Sequence, residues 1–247
     1  MTTFISTPAQ RVGRPGFTAS DVTRSMLGYL VLAGPCYVAV SLVQALTRDG
    51  FNLGRDEWSL LALGHWGWIQ MCNLVLTGAM TVVGAVGLRR GLGATAPATA
   101  GRTWAPQLLA GYGVALVGAG LFRADAADGF PPGRALHVSW HGALHIVFRS
   151  LGFLCLIATC YVLARHYRRR ARRAAALAAR VVGTVFAIAF AGIASGANNV
   201  AVNIGFTAAV IISYAWLATV GVDVYRRTRV VGACATSGRI ARDGLPR

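Results

Sequence analysis

Six apolar stretches, each long enough to cross a bilayer, constrain this chain more than any other feature. They run from about Met26 to Leu46, Gly67 to Leu88, Pro106 to Phe122, Gly142 to Ala164, Val181 to Asn198 and Ile204 to Tyr225. A spanning helix needs roughly 20 apolar residues, whereas a membrane β-strand needs about ten with alternating polarity. The runs are long and continuous, so they predict helices. Composition agrees: 55% of the residues are hydrophobic and 13% are charged, against about a quarter charged in soluble domains. The expected fold is all-α: a polytopic bundle of six transmembrane helices over residues 26–225, preceded by a polar segment (1–25) and followed by a basic tail (226–247). The first run is too long for the apolar core of a signal peptide and is followed by further spans, so it reads as a retained helix.

A formal net charge of +16 raises the question of a nucleic-acid partner, and the distribution of the charge answers it. All the basic residues are Arg, and they gather in alternate gaps between the apolar runs. Arg11, Arg14 and Arg24 precede the first run, and Arg89, Arg90 and Arg102 follow the second. Seven lie between Arg165 and Arg180, and the tail adds Arg226, Arg227 and four more. This is the signature of arginine retention on one side of a membrane. It places both termini and the even-numbered connections in the cytoplasm, in a multi-pass protein of the cell membrane, bacterial in type. The run from Arg165 to Arg180 is interleaved with Ala and reads as a helical extension. Each Arg beside the membrane attracts anionic lipid by about 1 kcal/mol, so anionic lipids are the expected partners, not nucleic acid. Only Ala197 to Asn203 separates the last two runs. A tight hairpin or a re-entrant segment fits that spacing, and an even count keeps the basic tail on the basic side.

Several rows of residues recur at helical spacing. Gly111, Ala115 and Ala119 repeat every four on the third run, as do Gly183, Ala187, Ala191 and Ser195 on the fifth. Gly192 and Gly196 form a G-x-x-x-G. Small residues let helices approach closely in lipid. Asn73, Thr77 and Thr81 form a polar row suited to interhelical hydrogen bonds. The five Cys show no C-x-x-C or metal-ligand spacing and read as packing thiols.

The outer connections differ from the inner ones. Asp49, Asp56, Glu57, Asp125 and Asp128 lie there, with His65, His137, His141 and His145. Trp58, Trp66, Trp68 and Trp140 crowd the same side, as an aromatic belt or as the lining of a ligand pocket. His141, His145 and Arg149 fall at i, i+4 and i+8, on one helical stripe. An ionisable group within the bilayer normally faces protein or water and has a partner; Asp125 and Asp128 are the expected partners of Arg149. The His141/His145 pair could share a metal ion, with a further ligand from Asp125, Asp128, His137 or His65. Zinc held so would activate water for hydrolysis.

Three stretches carry a family resemblance: Asp56-Glu57-Trp58-Ser59 to Gly67-Trp68-Ile69-Gln70, Phe122-x-x-Asp125 to Gly129-Phe130-Pro131-Pro132-Gly133, and His141-Gly142-x-Leu144-His145. In their order and spacing the chain resembles the domain-of-unknown-function 998 family, a group of bacterial multi-pass membrane proteins, over roughly residues 25–225. Arg123 stands where that pattern has a proline. The resemblance implies a helical membrane domain and supplies no activity. Three readings of function follow. The first is a small-molecule or lipid site in an outer vestibule built from Asp56, His65, Trp68, Asp125, Asp128, His141, His145 and Arg149. The second is a membrane-embedded metal-dependent hydrolase using His141 and His145. The third is a small-molecule transporter, which would want discontinuous helices and polar sites at the midplane.

Overall fold

Lipid offers no partner to backbone N–H and C=O groups, so each span must bond its own backbone. The computed structural model describes residues 19–95, 100–127, 129–133 and 138–243, apart from the side chains of 94, 95, 100 and 229–243. Within these residues the chain forms six α-helices and no strand: α1 (Ala19–Thr47), α2 (Gly67–Thr95), α3 (Ala100–Leu121), α4 (Trp140–Arg169), α5 (Arg173–Ala194) and α6 (Val200–Asp243). All six are long and apolar enough to cross a membrane. Their outward faces carry Leu32, Val43, Leu76, Val114, Ile188 and other exposed apolar side chains, as a surface wetted by acyl chains requires.

The helices outrun the apolar stretches, mostly at the arginine-rich end. The expected continuous helix from Arg165 to Arg180 does not form. Ala171 turns to φ 57°, and the Arg170, Ala171 and Arg172 amides donate back to the carbonyls of Tyr167 and Arg168. α4 therefore stops at Arg169 and α5 restarts at Arg173. Between α5 and α6 the chain makes a tight hairpin rather than a re-entrant segment. Gly196, at φ 76°, reverses the chain just after α5. The second glycine of the G-x-x-x-G thus ends a helix, a conformation that glycine adopts without Cβ strain.

Each helix packs on its neighbours in sequence, and α6 closes back onto α1 and across α2. The result is a ring whose sides are tightest where glycine replaces bulk. A Cβ on Gly78 of α2 would come within 2.5 Å of the Gly113 carbonyl of α3, and one on Gly113 within 2.7 Å of the Gly78 carbonyl. The row at Gly111 and Ala115 faces α4 through Cys155 and Gly152. Gly34 similarly admits Tyr214 of α6 against α1. A buried polar knot ties α1 to α2. Asn73 Nδ2 donates to the Tyr37 carbonyl at 3.1 Å, with Ser41 Oγ and Gln70 Oε1 both at 3.2 Å. Thr81 instead donates within its own helix, to the Thr77 carbonyl.

At the arginine-rich end, Arg172 grips Asp223 of α6 through two hydrogen bonds of 2.7 and 3.0 Å. The Asp223 hydrogen bond holds the Arg172 guanidinium above its ordinary pKa. Arg24 donates to the Tyr225 hydroxyl at 2.8 Å and lies over its ring. At the opposite end the long first connection folds over the ring. Arg48 donates to the carbonyls of Leu61 and Leu63, and its burial pushes the guanidinium below its usual pKa. A 3-10 turn, Trp58–Ala62, tucks Trp58 and Leu61 into the bundle core, while Leu60 packs with Leu63 and Phe130.

Candidate functional site

The first connection carries the most informative polar residues, and their partners fix its shape. Asp56 is buried; its carboxylate accepts from the Asn52 amide at 2.7 Å and pairs with Arg55 at 2.8 Å. These bonds close a loop, so Asp56 holds the connection in form. Directly after it, Glu57 reaches down to Arg149 of α4 and forms an ion pair with it. Both side chains are mostly shielded, at 18% and 19% exposure. Arg149 also donates to Ser59 Oγ at 3.4 Å. The sequence points to Asp125 and Asp128 as its partners; Asp128 lies outside the described residues, and the structure pairs Arg149 not with Asp125 but with Glu57 of the first connection.

Asp125 has a different task. Its carboxylate accepts from the Ser139 amide at 2.8 Å and from the Ser139 hydroxyl at 2.5 Å. Ser139 in turn caps α4, accepting from the Gly142 amide at 3.0 Å. A carboxylate beside a helix N-terminus is favoured by the helix dipole. It fits there because residue 142 has no side chain: a Cβ would stand 2.0 Å from Asp125 Oδ2.

Beneath Glu57 and Arg149 lies a narrow crevice of about 50 Å³, bounded by the 3-10 turn, α1, α3, α4 and α6, with Leu74 of α2. Its polar wall is Glu57, Trp58, Ser59, His145 and Arg149, and its floor includes Tyr37, Tyr112 and Tyr214. The Tyr112 and Tyr214 hydroxyls are 3.0 Å apart, and the Tyr37 and Tyr214 rings are 5.3 Å apart. His145 is 2% exposed and Trp58 6%. The Nδ1 of His145 faces the Ala119 and Phe122 carbonyls at 2.8 and 3.0 Å. His145 Nε2, Trp58 Nε1 and Arg149 Nε are buried without a protein partner. All three belong to residues that line the crevice.

The residues singled out in the sequence therefore divide. His145 and Arg149 line the crevice. His65, Asp125 and His141 line a separate, open recess of about 650 Å³ on the same end. His141 is exposed and stacks on Trp140 at 3.6 Å, and His65 meets Trp66 edge-on at 4.9 Å. Trp68 is 56% exposed and touches neither space; Trp58 takes the place expected of it. Asp128 and His137 lie outside the described residues. Among the described residues no three His, Cys, Asp or Glu side chains are grouped to hold a metal ion. Sequence reasoning passed over Glu57, Tyr37, Tyr112 and Tyr214 as site residues. The tyrosines left one signal: hydroxyl-bearing rings deep inside apolar runs, away from the interfaces where they normally sit.

Neither a curated protein nor a solved structure matches this chain. A family described as "Protein of unknown function (DUF998)" matches residues 31–223, which take in α2 to α5 whole, parts of α1 and α6, and the crevice. This integral membrane protein belongs to the DUF998 family.

Proposed function

We propose that the protein binds a small molecule or lipid in the crevice below Glu57 and Arg149, from the outer side of a bacterial cytoplasmic membrane. One observation carries this reading: a cavity walled mostly by apolar and aromatic side chains is also lined by the polar residues Glu57, Ser59, His145 and Arg149. Small-molecule sites combine an apolar lining with a few convergent polar groups. Arginine asymmetry supports the orientation, with both termini in the cytoplasm. The cytoplasmic Arg165 to Arg180 segment would meet anionic lipid there, as would the groove lined by Arg89, Arg90 and Arg102. Native mass spectrometry of the detergent-solubilised protein tests the main reading. A bound adduct is expected, and it should be lost in Val210→Phe, which fills the crevice. Identical adduct-free spectra for both proteins would refute it.

The other two readings receive less support. A metal-dependent hydrolase would want His141 and His145 turned to a common point with a third ligand, whereas His141 lies in the recess and His145 lines the crevice. A transporter of the broken-helix kind would want interrupted spans, whereas each of the six described helices is continuous.

A further inference from the structure

We infer that the groove between the end of α2 and the start of α3 seats a lipid whose headgroup ends in a phosphomonoester. The groove, of about 550 Å³, is lined by Val86, Arg89, Arg90 and Gly93 of α2 and by Arg102 and Thr103 of α3. The inference rests on the anionic-lipid reading above, which it sharpens to one seat of defined chemistry, and it is independent of the crevice. Three arginines converge there. Arg89 and Arg90 stand four and three residues before Gly93, and so share its face of α2. Arg102 reaches across from α3 to that same face: a Cβ on Gly93 would lie 3.6–3.8 Å from the Nη2, Nε and Cζ of its guanidinium. Among the described residues, no acidic side chain lines the groove. The acids described at this end lie elsewhere: Asp223 is held by Arg172 and Arg227, and Asp21 sits 3.7 Å from Arg24.

Like charges gathered in one groove repel, and an anion among them turns that repulsion into attraction. The more charge the anion carries, the more it gains. A phosphomonoester carries about 1.5 to 2 negative charges near neutral pH and presents three acceptor oxygens. Each Arg fork can take such oxygens in pairs. A phosphodiester brings only a single charge, as does a carboxylate. Position selects a lipid over a soluble phosphate. Val86 lies one turn nearer the middle of α2 than the two arginines, and its side chain is exposed. Trp104, next to Thr103, is exposed as well, and tryptophan at a helix end is typical of the membrane–water boundary. A phosphate at the arginines and an acyl chain along Val86 thus follow one path from water into the bilayer.

Native mass spectrometry of the full-length protein, titrated in detergent, tests the seat. The probes are dioleoyl phosphatidate, phosphatidylglycerol and phosphatidylcholine of the same chains, and glycerol 3-phosphate. Phosphatidate should bind about tenfold tighter than phosphatidylglycerol, the worth of one added charge-assisted hydrogen bond. The variant Arg89→Gln/Arg90→Gln/Arg102→Gln should bring the two lipids to parity. Arg168→Gln/Arg169→Gln/Arg173→Gln removes the same charge from exposed positions at the same end and should keep the preference. Arg102→Lys retains the charge and loses the fork, so it should cut the preference in part even if the groove triple variant fails to fold. Equal loss in both triple variants overturns the seat and leaves only diffuse attraction between lipid and charge. Parity of the two anionic lipids on the wild type overturns the phosphomonoester. Glycerol 3-phosphate binding as tightly as phosphatidate overturns the lipid in favour of a soluble phosphate. Phosphatidylcholine binding as tightly as both anionic lipids overturns the anionic-lipid reading itself.

Discussion

Glu57 and Arg149 form a shielded ion pair, so neither is dispensable alone. Glu57→Gln should cost roughly 3 kcal/mol, because it leaves a guanidinium without its counter-ion in a low-dielectric site. The double variant Glu57→Gln/Arg149→Gln should be more stable than the sum of the single effects implies. Thermal melting in detergent would read the coupling, and simple additivity would show that the pair is not energetically joined. Gly142 gives a second prediction. Adding one methyl group there drives Asp125 from the start of α4, so Gly142→Ala should destabilise by about 1–2 kcal/mol despite alanine's better helix propensity. An unchanged or raised melting temperature would mean that Asp125 does not anchor α4. Both predictions concern residues conspicuous in the sequence. Their partners were hidden because Glu57 and Arg149 meet across 92 positions of chain, and no periodicity encodes that distance.

Between elements, α2 and α3 approach closely where Gly78 and Gly113 face each other's backbones. Gly113→Leu would wedge these helices apart and should lower stability by about 1–3 kcal/mol or more, the cost of overpacking a filled interface. Gly205, around which no neighbour would meet a Cβ, is the control: Gly205→Ala should be neutral or slightly stabilising. Comparable melting losses in the two variants would contradict this packing. The sequence rows were informative only in part. Gly111 and Ala115 do face a helix, as expected of small residues, and Gly183 presses on Cys160. Ala191 and Ser195, in the same row as Gly183, are exposed, while Gly192 beside them faces Val202 of α6. A four-residue spacing says which residues share a face, not which face meets protein and which meets lipid.

For the whole molecule, the arginine asymmetry predicts that reporter domains fused after residue 225 stay cytoplasmic, while insertions near Gly129 are exported. Reporter activity in the reverse pattern would invert the proposed orientation, exchanging the outer and inner ends of the crevice. Alkaline extraction should leave the protein in the membrane fraction, as six spanning helices require.

Number, type and approximate position of the helices were legible without coordinates, because a bilayer admits few solutions to backbone hydrogen bonding and apolar length alone selects among them. The enrichment of acids, histidines and tryptophans at one end was legible too, since it is a matter of composition along the chain. Which of them converge was decided only by tertiary structure. The closing of α6 onto α1 and α2 sets three tyrosines at the floor of the crevice, and the fold of the first connection lowers Glu57 and Trp58 over it. Contacts between residues far apart in sequence depend on helix rotation and loop path, which side-chain packing fixes and local pattern does not.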